Sequence, residues 1–180
     1  LVDGRIDIRD FRKKIKGCKA VLINSPSNPT GRVESIETLK EIEKTTQKLG
    51  IYVVSDEVYK DLIYERENYE IQGKHVITIN SFSKTYCMCG VRVGYLWTSD
   101  KKVVEDVCEE KTHTSMNTNL VGQDMALSTM KAPKSYTDSQ RQDFHDPFGG
   151  TIPSGRFQLS TEGRLRDDIP VERLNLRQSL

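Results

Sequence analysis

The chain has 180 residues, 36% of them hydrophobic, and 27 Lys plus Arg against 26 Asp plus Glu, for a net charge of +1. That length suits one domain, or one with a small appendage, and the near-neutral balance offers no basic field for nucleic acid or an anionic membrane surface. No apolar run approaches the ~20 residues of a membrane helix, and no secretory hydrophobic region opens the chain at Leu1. Cys18, Cys87, Cys89 and Cys108 form neither a C-x-x-C pair nor a zinc spacing, so a reduced, cytoplasmic setting without a metal is expected.

Strand and helix signals alternate over residues 1–130. Residues 20–23 (Ala-Val-Leu-Ile) form a short apolar strand, followed by a loop, residues 24–31, with two prolines and a glycine. Residues 35–49 carry Ile36, Leu39, Ile42 and Leu49 near helical spacing, with Thr46 between and Gly50 as C-cap. Residues 51–54 and 75–79 read as further strands, 93–97 as a fourth, and 101–111 and 120–131 as helices. Short, almost wholly apolar strands separated by a helix predict an α/β fold: a mostly parallel sheet flanked by helices and covered on both faces. In such sheets ligands bind beyond the carboxyl ends of the strands.

Each of three strands runs directly into a polar cluster: Asn28 after the first, Asp56 and Tyr59 after the second, Ser81, Ser83 and Lys84 after the third. Taken singly, Asp56 reads as a turn cap, Tyr59 as a core-edge aromatic, Lys84 as a solvated loop lysine and Arg92 as a surface ion-pair partner. Three clusters at the same structural position favour one shared site. A lysine amine can form a Schiff base with an aldehyde cofactor. Pyridoxal phosphate also needs a carboxylate opposite its ring nitrogen, donors at its phenolic oxygen, and a cation with hydroxyls for its phosphate. Asp56, then Tyr59 with Asn28, then Arg92 with Ser81 and Ser83 meet those needs.

The segments Asn24-Ser25-Pro26-Ser27-Asn28-Pro29-Thr30-Gly31, Val54-Ser55-Asp56-Glu57-Val58-Tyr59, and Ser81-Phe82-Ser83-Lys84-Thr85 through Gly90-Val91-Arg92-Val93-Gly94-Tyr95 closely resemble the class I/II (fold-type I) pyridoxal-phosphate aminotransferases of the aspartate/aromatic kind, in the family's order. The resemblance covers about residues 1–130. It implies pyridoxal 5′-phosphate as cofactor and amino-group transfer from an amino acid to a 2-oxo acid. A lyase or synthase of the same fold, and a non-catalytic remnant or cofactor-binding regulatory module, are the other readings. It also implies that Lys84 holds the cofactor and shuttles a proton, that Asp56 partners the pyridine nitrogen, and that Tyr59 and Asn28 donate to the phenolic oxygen. Arg92, with Ser81 and Ser83, would bind the phosphate. The Asn28–Pro29 bond is a candidate cis peptide. Family members are about twice this length and are homodimers, so the chain is expected to be a fragment, with a partial cofactor-binding large domain over residues 1–130.

Cys87 and Cys89, beside the lysine segment, are expected to pack as small buried thiols. His75 and His113 read as surface or loop residues, and the Glu41–Lys44 run as a solvated helix face. Residues 131–180 hold four of the six prolines and 2 Lys against 6 Arg, whereas residues 1–130 hold 13 Lys against 6 Arg. No period of 2 or 3.6 is sustained there, and a divergent tail is expected, disordered or from an altered reading frame.

Overall fold

The computed structural model describes residues 5–64 and 68–145. Helix α1 (Ile8–Lys14) starts at Asp7, whose carboxylate accepts from the Arg9 and Asp10 amides. Strand β1 (Ala20–Asn24) leads through the proline loop to α2 (Ile36–Leu49) and β2 (Tyr52–Asp56). A 3₁₀ turn (Lys60–Leu62) precedes β3 (Val76–Ser81), the one-turn helix α3 (Phe82–Thr85), a second 3₁₀ turn (Cys89–Val91) and β4 (Gly94–Trp97). Helices α4 (Lys101–Thr114), α5 (Leu120–Met130) and α6 (Lys134–His145) follow. The ends of α2 are set as its sequence demands. The Ser35 hydroxyl accepts from the Thr38 amide at 3.1 Å, and Gly50 closes the helix at φ 64°, ψ 35°, a left-handed geometry that a Cβ disfavours.

The four strands form one sheet in the order β1-β2-β3-β4. β1, β2 and β3 are parallel and β4 is antiparallel to β3, the mostly parallel arrangement expected. Ile23, Val53 and Val76 on one face bury against Leu39 and Ile42 of α2 and against Ile71, with Ile8 and Phe11 of α1 at the margin. Thr46 lies among these apolar groups with no exposed surface. Its hydroxyl donates to the Ile42 carbonyl at 2.8 Å and meets His75 Nε2 at 3.1 Å, so His75, in the turn just before β3 as expected of a loop residue, also ties that turn to the helix. Glu43 is not merely solvated either: it accepts from the Tyr69 hydroxyl and the Gln72 amide. A smaller cluster of Phe82, Val93 and Ala126 seats α5 on α3, and a Cβ on Gly122 would stand 2.8 Å from Val93.

Three expectations need correction. Among the described residues the sheet is covered on one face only. Leu22 is 66% exposed, Val54 and Ile77 beside it in register are half-buried, and Ile79 and its partner Leu96 are exposed. The apolar strands do carry the pattern of a sheet buried on both sides, but the helices that pack here do so on one. Second, Cys87 and Cys89 are exposed, because they lie on the turn that leaves α3, with Cys87 at a left-handed φ of 54°. Third, α6 occupies residues 134–145, where no element was expected. Its sequence, Lys-Ser-Tyr-Thr-Asp-Ser-Gln-Arg-Gln-Asp-Phe-His, has too few apolar residues to show a stripe. The rest of the expected divergent tail, 146–180, lies outside the described residues. No helix among the described residues is long and apolar enough to cross a membrane.

The far end of β2 is held by a buried polar group. Glu57, 3% exposed, accepts from the Ser55 hydroxyl at 3.0 Å and lies 3.6 Å from the Lys60 amine, which also meets Glu70 at 2.8 Å. Burial pushes the Glu57 carboxyl above its ordinary value, and the Ser55 bond and Lys60 only partly oppose it. Burial of Lys60 works against its charge, but the hydrogen bond to Glu70 and the attraction of both carboxylates outweigh it.

Two predictions follow from this packing. Ile42→Ala, at a fully buried position, lowers the unfolding free energy by about 2–5 kcal/mol, whereas Leu22→Ser on the open face changes it by less than ~0.5 kcal/mol, both measured by urea denaturation. A carboxyl with a raised folded-state pKa contributes stability below its unfolded value and loses it as pH rises through the folded one. Native stability therefore carries a Glu57 component that declines as pH climbs above about 4.5. In Glu57→Gln that decline is absent, which the difference between the two urea midpoints, followed across that range, reads directly.

Candidate active site

Because β1, β2 and β3 are parallel, their carboxyl ends fall on one edge, with Asn24 beside Asp56 and Asp56 beside Ile79. The loop after β1 is folded on itself. Asn24 Oδ1 accepts from the Asn28 amide at 2.8 Å, the Ser25 hydroxyl accepts from the Glu34 amide at 3.1 Å, and the Gly31 amide donates to the Ser27 carbonyl at 2.7 Å. The Ser25–Pro26 and Asn28–Pro29 bonds are both cis, the second as expected. This loop carries the Asn28 side chain to Tyr59, where Nδ2 donates to the phenolic oxygen at 3.1 Å. The phenol accepts that bond and keeps its own hydrogen to donate elsewhere. Lys84 Nζ stands 5.5 Å from the centroid of the same ring, within cation–π range. Asn28, Tyr59 and Lys84 are thus brought together from three segments.

The other expected residues share the edge in pairs or singly. Ser81 caps α3: its hydroxyl accepts from the Ser83 amide at 3.1 Å and donates to the Val93 carbonyl at 3.3 Å. Antiparallel pairing sets Gly94 opposite Ser81, which returns the chain, with Arg92 just ahead of it, to the end of the sheet where Lys84 lies. The approach is close: a Cβ on Gly94 would stand 2.9 Å from the Asn80 carbonyl oxygen. Arg92 adopts a left-handed φ of 59° and its exposed guanidinium donates to the Cys89 carbonyl at 3.0 Å. Asp56 is the last residue of β2 rather than a loop residue, and its carboxylate accepts from the Val58 amide at 3.3 Å. Among the described residues neither Asp56 nor Arg92 hydrogen-bonds to another member of the set.

Several supporting residues carry no motif of their own. Asn24 fixes the backbone at Asn28. Asn119 caps α5 by accepting from the Gly122 amide at 2.6 Å and donates to the Val91 carbonyl at 3.1 Å, next to Arg92. Thr85 donates to Asp61 Oδ2 at 3.1 Å. A polar residue just before a helix is the sequence signal for Asn119; no local signal marks the partners of Asn24 or Thr85.

The donor set has the chemistry that pyridoxal 5′-phosphate requires. It offers an amine, a carboxylate from the end of a strand, an amide–phenol pair with one hydrogen to give, a guanidinium and two hydroxyls.

Comparison with known proteins agrees with this chemistry. Residues 2–146 match the family model described as aminotransferase class I and II. The aspartate aminotransferase of Thermotoga maritima is 41% identical over 134 residues, covering 70% of this chain and 35% of that protein. The probable aspartate aminotransferase of Methanocaldococcus jannaschii is 42% identical over 99 residues, covering 53% and 26%. Among solved structures, the Thermotoga maritima aspartate aminotransferase superposes with a TM-score of 0.73 at 34% identity, covering 79% of this chain and 38% of that one. A Thermus thermophilus aspartate aminotransferase mutant complexed with tryptophan gives a TM-score of 0.74 at 26% identity, covering 78% and 38%. The chain spans about a third of the length of the curated relatives it matches. With a motif set, a sheet topology and a family match that all agree, this chain belongs to the class I and II aminotransferases.

Proposed function

We propose that the chain supplies the cofactor-binding centre of an amino-acid aminotransferase that moves an amino group from an amino acid to a 2-oxo acid. The names of the relatives support aspartate as the amino donor. The observation that carries the reading is the meeting of Asn28, Tyr59 and Lys84 at the carboxyl edge of the sheet, with Asp56 on the neighbouring strand end. Pyridoxal 5′-phosphate, when bound, supplies an aldehyde for the amine and an electron sink for the bond at the substrate α-carbon.

The chain's own residues then have separate tasks. The Lys84 amine would hold the cofactor's aldehyde and would move a proton at the substrate α-carbon. The Asp56 carboxylate would partner the ring nitrogen and favour its protonated form by charge. Asn28 holds the Tyr59 phenol by accepting none and donating one hydrogen, which leaves the phenol to donate to the cofactor's ring oxygen. Arg92 and the Ser81 and Ser83 hydroxyls would hold the phosphate. Residues 1–130 make up this partial domain, and the full-length form works as a cytoplasmic homodimer.

Incubating the chain with pyridoxal 5′-phosphate, reducing with borohydride and digesting it yields the cofactor mass on the peptide bearing Lys84, and Lys84→Arg yields none there. Labelling spread evenly over surface lysines would sink the assignment. In the full-length form Lys84→Ala lowers the rate of glutamate formation from aspartate and 2-oxoglutarate by about 10²–10⁴-fold, the usual worth of a positioned proton-transfer group. Asp56→Asn, which keeps the shape and removes the charge, lowers the same rate by about 10²-fold while leaving the urea midpoint near native.

A further inference from the structure

Most helical threonines among the described residues turn their hydroxyls back onto their own helix, although that of Thr129 also reaches Met88 Sδ at 3.3 Å. Thr46, Thr112, Thr114, Thr129 and Thr137 each donate to a carbonyl three or four residues earlier, the common habit of the residue. Thr85 departs from it. Although 4% exposed, it sends its hydroxyl to Asp61 Oδ2 at 3.1 Å, 24 residues away in sequence.

The two ends of that bond flank the candidate site. Thr85 follows Lys84, and Asp61 lies two residues after Tyr59. The hydrogen bond therefore closes a short circuit whose open ends are the amine and the ring, 5.5 Å apart. Neither end is stiff alone. α3 has four residues, a single turn. Tyr59 sits at the entry of the Lys60–Leu62 turn without a side-chain cap bond, at φ −108° and ψ 9°. The turn is pinned on its other side by Lys60, which meets Glu57 at 3.6 Å and Glu70 at 2.8 Å. Lys60 draws one side of the turn toward the end of β2 and Asp61 ties the next residue to α3.

We propose that the Asp61–Thr85 hydrogen bond is the positioning contact that holds the Lys84 amine over the Tyr59 ring. Asp61 and Thr85 then serve the reaction through Lys84 and Tyr59 without touching cofactor or substrate. This inference rests on the role given to Lys84 above, and its test separates the two.

Thr85→Val removes the hydroxyl at nearly constant volume, and Thr85→Ser restores it. In the 180-residue chain without cofactor, labelling with trinitrobenzenesulfonate followed by peptide mass spectrometry gives the rate at Lys84 against the other lysines as internal references. In Thr85→Val the Lys84 rate rises about two- to fivefold, the Boltzmann factor of an exposed cation–ring contact, while the reference lysines stay at native rates. Borohydride-fixed capture of pyridoxal 5′-phosphate at Lys84 falls in the same variant, and Thr85→Ser behaves as native in both measurements. A general loosening of the fold would raise every lysine together. Native rates in Thr85→Val, or a Thr85→Ser variant that behaves like Thr85→Val, overturns the proposal. Should Thr85→Val lose its native circular dichroism, Asp61→Ala at an exposed position carries the same test with the same outcomes. If the native chain captures no cofactor at Lys84, the functional reading falls, and the cofactor-free labelling still decides the positioning contact.

Discussion

Parallel pairing of β1, β2 and β3 brings Asn24, Asp56 and Ile79 to one level, and every feature of the candidate site hangs on that alignment. The loops that follow these residues leave the sheet in the same direction and from strands a few ångströms apart. Segments 24–31, 56–62 and 81–85 thus become neighbours although they are far apart in sequence. β4 adds the fourth contribution by running the other way, so that its beginning rather than its end reaches this edge, with Arg92 just before it. A slip of one residue in β2 would turn Asp56 from one face of the sheet to the other and bring Ser55 to the strand end. The buried faces of Val53 and Val76 against Ile42 resist such a slip, so the core sets the chemistry by fixing the register.

The core does this from one side. Ile23, Val53 and Val76 are buried beneath α2, whereas Leu22, Ile79 and Leu96 stand in the open row across the other face. The stabilising burial is therefore concentrated between α2 and the sheet, and α4 touches the sheet through a polar contact: the Tyr52 hydroxyl donates to Asp100 Oδ2 at 2.7 Å. That bond holds the Asp100 carboxyl below its usual range while Asp100 also caps α4.

What the sequence displays is local. The Gly50 cap, the proline loop, the apolar runs of the strands and the polar residues at their ends are all set within a few positions, and each is found where the pattern puts it. The pattern is silent where structure depends on partners far along the chain. Thr46 interrupts an apolar helix face, and besides its bond to the Ile42 carbonyl it meets His75, from the turn before β3, which its own sequence neighbourhood does not announce. Asn24, Asp61 and Asn119 look like ordinary loop or cap residues until their bonds to Asn28, Thr85 and Val91 are seen. The helix α1 is too short, and α6 too polar, to show a periodicity. The exposure of Cys87 follows from a left-handed backbone that its identity does not announce. Apolar strands likewise imply cover on both faces without saying which packed element provides it.

The order of charges along the site edge carries its own argument. β1 ends in a neutral amide loop, β2 in the Asp56 carboxylate, β3 in the turn bearing the Lys84 amine, and the entry to β4 bears the Arg92 guanidinium. Negative charge thus lies toward one side and positive charge toward the other, with Tyr59 between. Tyr59 is drawn two ways that agree: the Asn28 amide donates to its oxygen, and a cation stands at its ring. Both favour electron density on the phenol and disfavour a second cation beside it. A ligand that is positive at one end, electron-rich at its middle oxygen and anionic at the other end can satisfy all four groups in a single orientation, and reversing it would oppose like charges at both ends. A protonated pyridine that carries a phosphate has that polarity. In the roles proposed above, the strand order would orient such a group before any substrate contact does, with Asp56 taking its cationic end, Arg92 its anionic end and the Lys84 amine left between them.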